Sequence, residues 1–378
     1  MFTAEKMTTR QQFLNVMEYK PVDAIPNFEV GVWGQTIDRW IAEGLDGSNM
    51  TWNWFWGEDS FSLTPREYIK INYGMLPPFD VEILEEDDEY EIIRHSTGVV
   101  TKALKAGASR GTRMCMDQYL SFPVTDVASF RELKKRYTIS IDKRYPDSWR
   151  SLIPGWKNRK HVLVLAENCS LLGFYWRARE WMGTEGVSYG WYDEPALMHE
   201  MMEFIADFSM EVSKPVLAET DVDYVFLNED MSMKTGPLLG PDTYRKFIFP
   251  HMRRLVDFFK SNGVKYMFVD SDGDLNLLIP LLMEAGVDAI WPLERVCGND
   301  PVMLRKRYGR QLRLTGGVDK MQIAKGRVEI DRHLAELVPL IEEGGFIPTI
   351  DHTVPPDVSL ADFEYYMKRK IDLLTGKF

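Results

Sequence analysis

Asp270, Asp272 and Asp274 alternate along the run YMFVDSDGD, directly after residues suited to a buried strand and around the turn residue Gly273. Carboxylates delivered together by a strand end can hold a substrate, bind a cation or move a proton. The plain alternative is a solvated acidic turn capping the helical run expected at 275–284. Asp274, nearest that helix, is assigned to the cap. A second cluster, Asp351 and His352, follows the apolar stretch FIPTI and precedes Pro355 and Pro356, which stiffen the loop. A histidine beside an aspartate at a strand end is either an acid/base group or a metal ligand. Asp270, Asp272 and His352 are therefore the catalytic candidates, and with Asp351 they form a possible oxygen- and nitrogen-rich site for a divalent cation such as zinc. Without a metal, the same group would be carboxylates and a histidine that tune one another's protonation.

Further polar residues fall at the ends of other apolar runs. Glu29 ends PNFEV, Glu167 and Asn168 end HVLVLAEN, Asn228 and Asp230 end DYVFLNED, and Glu294 ends DAIWPLE. With Trp33 these are the candidate substrate-binding residues; hydrogen bonding among themselves is the competing role. Trp33 and the cluster at 52–56 also suit a lid over a flat organic molecule, or equally a small aromatic core. The remaining histidines fall at strand starts, on helices or on a hairpin and are read as structural.

The elements that must position these residues alternate. From position 161 onward, apolar strands are separated by helical runs, the clearest at 241–262 and 329–343, each ended by glycine. That alternation predicts a parallel sheet with right-handed crossovers. Polar residues end nearly every strand, and a closed (β/α)8 TIM barrel gathers all those ends at one mouth, whereas an open sheet gathers only those at its switch point. Near the N-terminus, Thr8 or Thr9 with Gln11 or Gln12 predicts a capping box, and Pro21 and Pro26 bracket a short strand that presents Glu29 ahead of the helical run 33–43. Seven strands are legible; the eighth is expected within 46–160, an aromatic and acidic excursion after the first strand with a hairpin turning at 96–98. The whole chain, 1–378, reads as one barrel domain.

Composition narrows the function. A net charge of −12 without a Lys/Arg tract argues against nucleic acid as a partner. Three scattered cysteines indicate neither a disulfide framework nor a thiolate zinc site, and no run is apolar enough to span a membrane, so a cytoplasmic protein is expected. No dinucleotide fingerprint, P-loop, zincin or serine-hydrolase motif occurs.

The segments TTRQQFLNVMEYKPVDAIP, DQYLSFPVTDVASF, EDMSMKTGPLLGPDTYRKFIFPHMRRLVDFFKSNG, VDSDGDLNLLIPLLMEAGVDAIWPLE, GGVDK and DHTVPPDVS together resemble the uroporphyrinogen decarboxylase superfamily. That superfamily includes the decarboxylase and corrinoid-dependent methyltransferases, and the resemblance implies a (β/α)8 barrel and a homodimer. The arginine-rich MRQAGR segment that serves the decarboxylase's polyanionic substrate is replaced here by NFEVGVWGQT. Where the thiol-methylating branch carries HxC, this chain carries Asp270 and Asp272. The resemblance therefore implies a demethylating methyltransferase that takes a methyl group from a small donor, expected to be an aryl methyl ether, and passes it to cobalamin on a corrinoid protein. A cofactor-free decarboxylase of another organic acid and a non-catalytic corrinoid- or tetrapyrrole-binding barrel are the alternatives.

Overall fold

The strands that carry the candidate residues pair side by side in chain order. The computed structural model describes residues 2–46, 60–165 and 173–378. Within it one curled, all-parallel sheet contains seven strands, numbered here along the chain. They are β1 (Arg66–Ile69), β2 (Val162–Leu165), β3 (Tyr224–Asn228), β4 (Tyr266–Asp270), β5 (Ala289–Trp291), β6 (Arg313–Thr315) and β7 (Phe346–Ile347). Pairing in chain order with helical crossovers is the barrel pattern that the sequence predicts. Four helices matter for the site: α1 (Thr9–Met17), α2 (Gly34–Ala42), α3 (Phe174–Asp193) and α4 (Leu360–Leu374). The expected capping box opens α1, with Thr8 and Gln11 bonding reciprocally.

The N-terminal strand departs from expectation. Residues 27–32 are not a ladder strand; they lie between the two ends of the sheet and make their bonds largely with side chains and single bridges. Val32 bridges to Val354, the Val354 N–H donates to the Gly31 carbonyl, and the Thr64 N–H donates to the Asn27 carbonyl. Lys370 and Arg66 donate to the carbonyls of Phe28 and Glu29. Side-chain donors thus stand in for a ladder partner, and the paired strand from the excursion is β1 instead. The excursion also contains a separate four-stranded antiparallel sheet that includes the expected hairpin, 90–94 against 100–104. Its acidic strand Glu82–Glu86 is exposed throughout, as a solvated face requires.

Two long helical runs are each broken by proline. Pro250 divides 241–262 into Pro241–Phe247 and Phe249–Ser261, and Pro339 divides 329–343 into Arg327–Ala335 and Val338–Glu343. In each case the proline withholds an N–H and crowds the carbonyl one turn back. The helix after β4 starts only at Ile279, so Asp274 caps a turn rather than that helix, accepting from the Asn276 N–H at 2.9 Å.

Inward-facing side chains fill the barrel. Phe13 of α1 plugs the base beneath Tyr224 and Phe268, and Phe226, Trp291, Thr315 and Thr349 pack above, leaving a cavity of 30 Å³, room for about one water. Alternation along β3 and β4 then places Asn228 and Asp270 on the same inward face at the mouth. A packed interior leaves the mouth as the place for a ligand of any size. Gly316, at the end of β6, has φ 108°, and a Cβ there would lie 1.7 Å from the Pro292 carbonyl oxygen. The glycine therefore serves strand-to-strand approach. Gly316→Ala is expected to cost on the order of 3 kcal/mol, read as a lower urea midpoint; an unchanged midpoint would show that the turn can relax. Among the described residues, no helix is long and apolar enough to cross a membrane.

Candidate active site

The loops after β3 to β7 and the start of α3 bring ion pairs to the mouth. His352 Nε2 lies 3.3 Å from Asp272 Oδ2, Lys320 Nζ lies 3.2 Å from Glu294 Oε1, and Arg179 donates to Asp230 Oδ2 at 2.7 Å. The pairs feel one another: Asp272 and His352 both act on Asp230, and Lys320 and Glu294 both act on His352. Burial pushes the His352 imidazole down, but the hydrogen bond and charge of Asp272 outweigh it, so the ring holds its proton more tightly than ordinary histidine. Burial likewise opposes the charge on Lys320, and Asp351, Glu294 and Asp272 overcome it, so the ammonium stays charged. The result is an imidazole whose proton a carboxylate helps to hold, beside a fixed cation.

The expected residues that the structure describes each have a definite place. Asp272 and His352 meet. Asp270 is buried at the inner edge of the mouth, and its carbonyl receives the N–H groups of Glu229 and Asp230 at 2.8 and 3.4 Å. Asp351 takes a different part from its neighbour: its fully buried carboxylate accepts the N–H groups of Arg295 and Lys320 at 3.0 and 3.1 Å, tying the loops after β5 and β6 together. Among the described residues no three His, Cys, Asp or Glu side chains are grouped so as to hold a metal ion, so the expected quartet of Asp270, Asp272, Asp351 and His352 does not assemble. Glu29 is also committed elsewhere, to Tyr366, Lys370 and the Ile350 N–H. Glu294 holds the Gly273 N–H at 2.9 Å as well as Lys320. Trp33 donates its indole N–H to Thr353 Oγ1, beside His352. Asn228 is buried at the mouth, and Asp230 adopts φ 41° while paired with Arg179. Glu167, Asn168 and the aromatic cluster at 52–56 lie outside the described residues.

Sequence reasoning missed Lys320, Arg179 and Thr353. Lys320 follows Asp319 in GGVDK, a segment noted in the sequence only for its family resemblance. Arg179 sits within a helix, where nothing local marks a side chain that reaches a neighbouring loop. Two groups support the mouth without facing it. Glu229 is wholly buried and receives the first N–H groups of α3, those of Phe174 and Tyr175, while burial pushes its carboxyl up to about 7. His333, one of the histidines read as structural, accepts the Asp319 N–H at 2.9 Å and so anchors the Lys320 loop.

The fold has known counterparts. A methyltransferase from Methanosarcina mazei superposes with a TM-score of 0.61 at 14% identity, covering 97% of this chain and 99% of that one. A B12-independent methionine synthase from Shewanella aligns at a TM-score of 0.35 and 12% identity, over 79% of this chain and 73% of that one, and carries no argument. The family model described as uroporphyrinogen decarboxylase (URO-D) matches residues 181–370, just over half of the sequence and the part that holds β3 to β7 and their mouth loops. The chain belongs to the uroporphyrinogen decarboxylase family.

Proposed function

We propose that this protein is a methyltransferase that demethylates a small methoxylated aromatic at the barrel mouth and passes the methyl group to a corrinoid protein. The observation that carries the reading is the His352–Asp272 pair with Lys320 nearby. An aryl methyl ether resists cleavage because the departing phenolate is a poor leaving group unless it is protonated or its charge is stabilised. A reduced corrinoid on the partner protein would supply the nucleophile that accepts the methyl carbon. The electron pair of the broken C–O bond stays on oxygen, and His352 gives that oxygen its Nε2 proton, leaving a neutral imidazole and the phenol. Lys320 supports the developing negative charge electrostatically, and Asp272 steadies the imidazolium before transfer. Asn228 and Asp270, at the inner edge, are placed to orient the donor. The fold shared with a methyltransferase supports the reading at the level of architecture.

The test is incubation with a reduced corrinoid protein and a panel of methoxyaromatics, following methylcobalamin absorbance and release of the phenol. Methyl transfer from at least one ether supports the reading. Silence across the panel, or carbon dioxide release from an acid without corrinoid, would replace it with the decarboxylase alternative.

A further inference from the structure

His352 is held from both sides. Its Nε2 faces Asp272 at 3.3 Å, and its Nδ1 lies 2.8 Å from Thr353 Oγ1, which in turn receives the indole N–H of Trp33 at 2.5 Å. We propose that Trp33 and Thr353 are positioning residues that commit Nδ1 of His352 to the protein throughout the reaction, so that the transferred proton leaves from Nε2. This deepens the demethylase reading and rests on it.

The argument is one of hydrogen-bond capacity. An indole N–H only donates, so Trp33 occupies one lone pair of the Thr353 oxygen and leaves its hydrogen and second lone pair available. In the imidazolium, Nδ1 donates to the second lone pair of the Thr353 oxygen. Once Nε2 has given up its proton, the neutral ring keeps its hydrogen on Nδ1, which goes on donating to the same lone pair. One arrangement of the Thr353 hydroxyl serves both states, and the bond to Trp33 persists in each. The ring need not turn as it gains and loses its proton.

The anchor is itself rigid. The Trp33 N–H and the Thr36 hydroxyl both bond the Val354 carbonyl, at 3.2 and 2.7 Å. Arg39 reaches the Pro356 carbonyl at 2.6 Å, and the Trp40 indole reaches that of Val358 at 2.9 Å. Helix α2 and the His352 loop are thereby strapped together as one unit. Trp33, expected from the sequence to contact substrate, uses the only polar atom of its side chain to fix the proton donor's neighbour.

The test uses the full chain and the variants Thr353→Val, Thr353→Ser and Trp33→Phe. Misplacing a proton donor should lower kcat on the order of 10²-fold in Thr353→Val with little change in KM, and Thr353→Ser should restore most of it. Crystal structures of the variants provide a readout independent of turnover: the His352 ring is expected to rotate away from Asp272 in Thr353→Val and to keep its place in Thr353→Ser. A ring that stays in place in Thr353→Val, or a serine variant as impaired as the valine one, would overturn the inference. If wild type transfers no methyl group while the ring still turns in Thr353→Val, the reaction assignment fails and the positioning role stands.

Discussion

His352→Gln is expected to lower methyl transfer roughly 10²–10⁴-fold, the range for removing a positioned proton donor. Glutamine keeps much of the shape and a hydrogen-bond donor but has no proton to give at neutral pH. The pH dependence carries the sharper signature. The acid form is the active one, so kcat should fall as pH rises through the His352 pKa, which Asp272 holds above the ordinary histidine value despite burial. In Asp272→Asn the main raising partner is gone while burial and Lys320 still act to lower the pKa against the weaker charge of Glu294, so the falling limb should move to lower pH. A pH profile of kcat measures both effects. A limb that does not move in Asp272→Asn would remove His352 from the role of acid.

Lys370→Met is expected to destabilise the protein by about 3–5 kcal/mol, the cost of leaving a buried carboxylate without its counter-charge. Lys370 Nζ and Glu29 Oε1 are 2.6 Å apart, both fully or nearly fully buried, and the same ammonium also bonds the Phe28 carbonyl at 2.6 Å. Burial pushes Lys370 below the ordinary lysine value, and the Glu29 charge only partly counters it. The pair lies where residues 27–32 replace a ladder strand, so its loss loosens the closure between β7 and β1. The double variant Glu29→Gln/Lys370→Met removes both charges of the pair and should be less destabilised than Lys370→Met alone. Urea midpoints compare the variants; a double variant as unstable as the single one would show that the stranded carboxylate is not the cause.

Much of the fold was legible because its signals are local. Apolar runs of strand length, glycine stops and the Thr8 box specify elements wherever the chain happens to go, and β2 to β7 appear where those runs predict them. The same locality explains the errors. Apolar periodicity continued through Pro250 and Pro339, and weighting it over the missing N–H gave one helix where there are two. PNFEV looks like a strand, yet its partners come from Thr64, Arg66 and Lys370, and no local pattern announces a backbone satisfied by distant side chains.

The site divides along the same line. By itself the sequence determined that this is a parallel α/β chain of the uroporphyrinogen decarboxylase type, with acids and a histidine at strand ends, because strand ends and residue types are written in order along the chain. Only the tertiary structure decided which of those groups work together. It joined Asp272 to His352 across 80 residues, brought in Lys320 and set Trp33 behind the ring. It also drew Asp351 and Glu29 into the framework. A carboxylate becomes acid, cap or counter-ion according to what surrounds it, and that is fixed by packing between elements far apart in sequence.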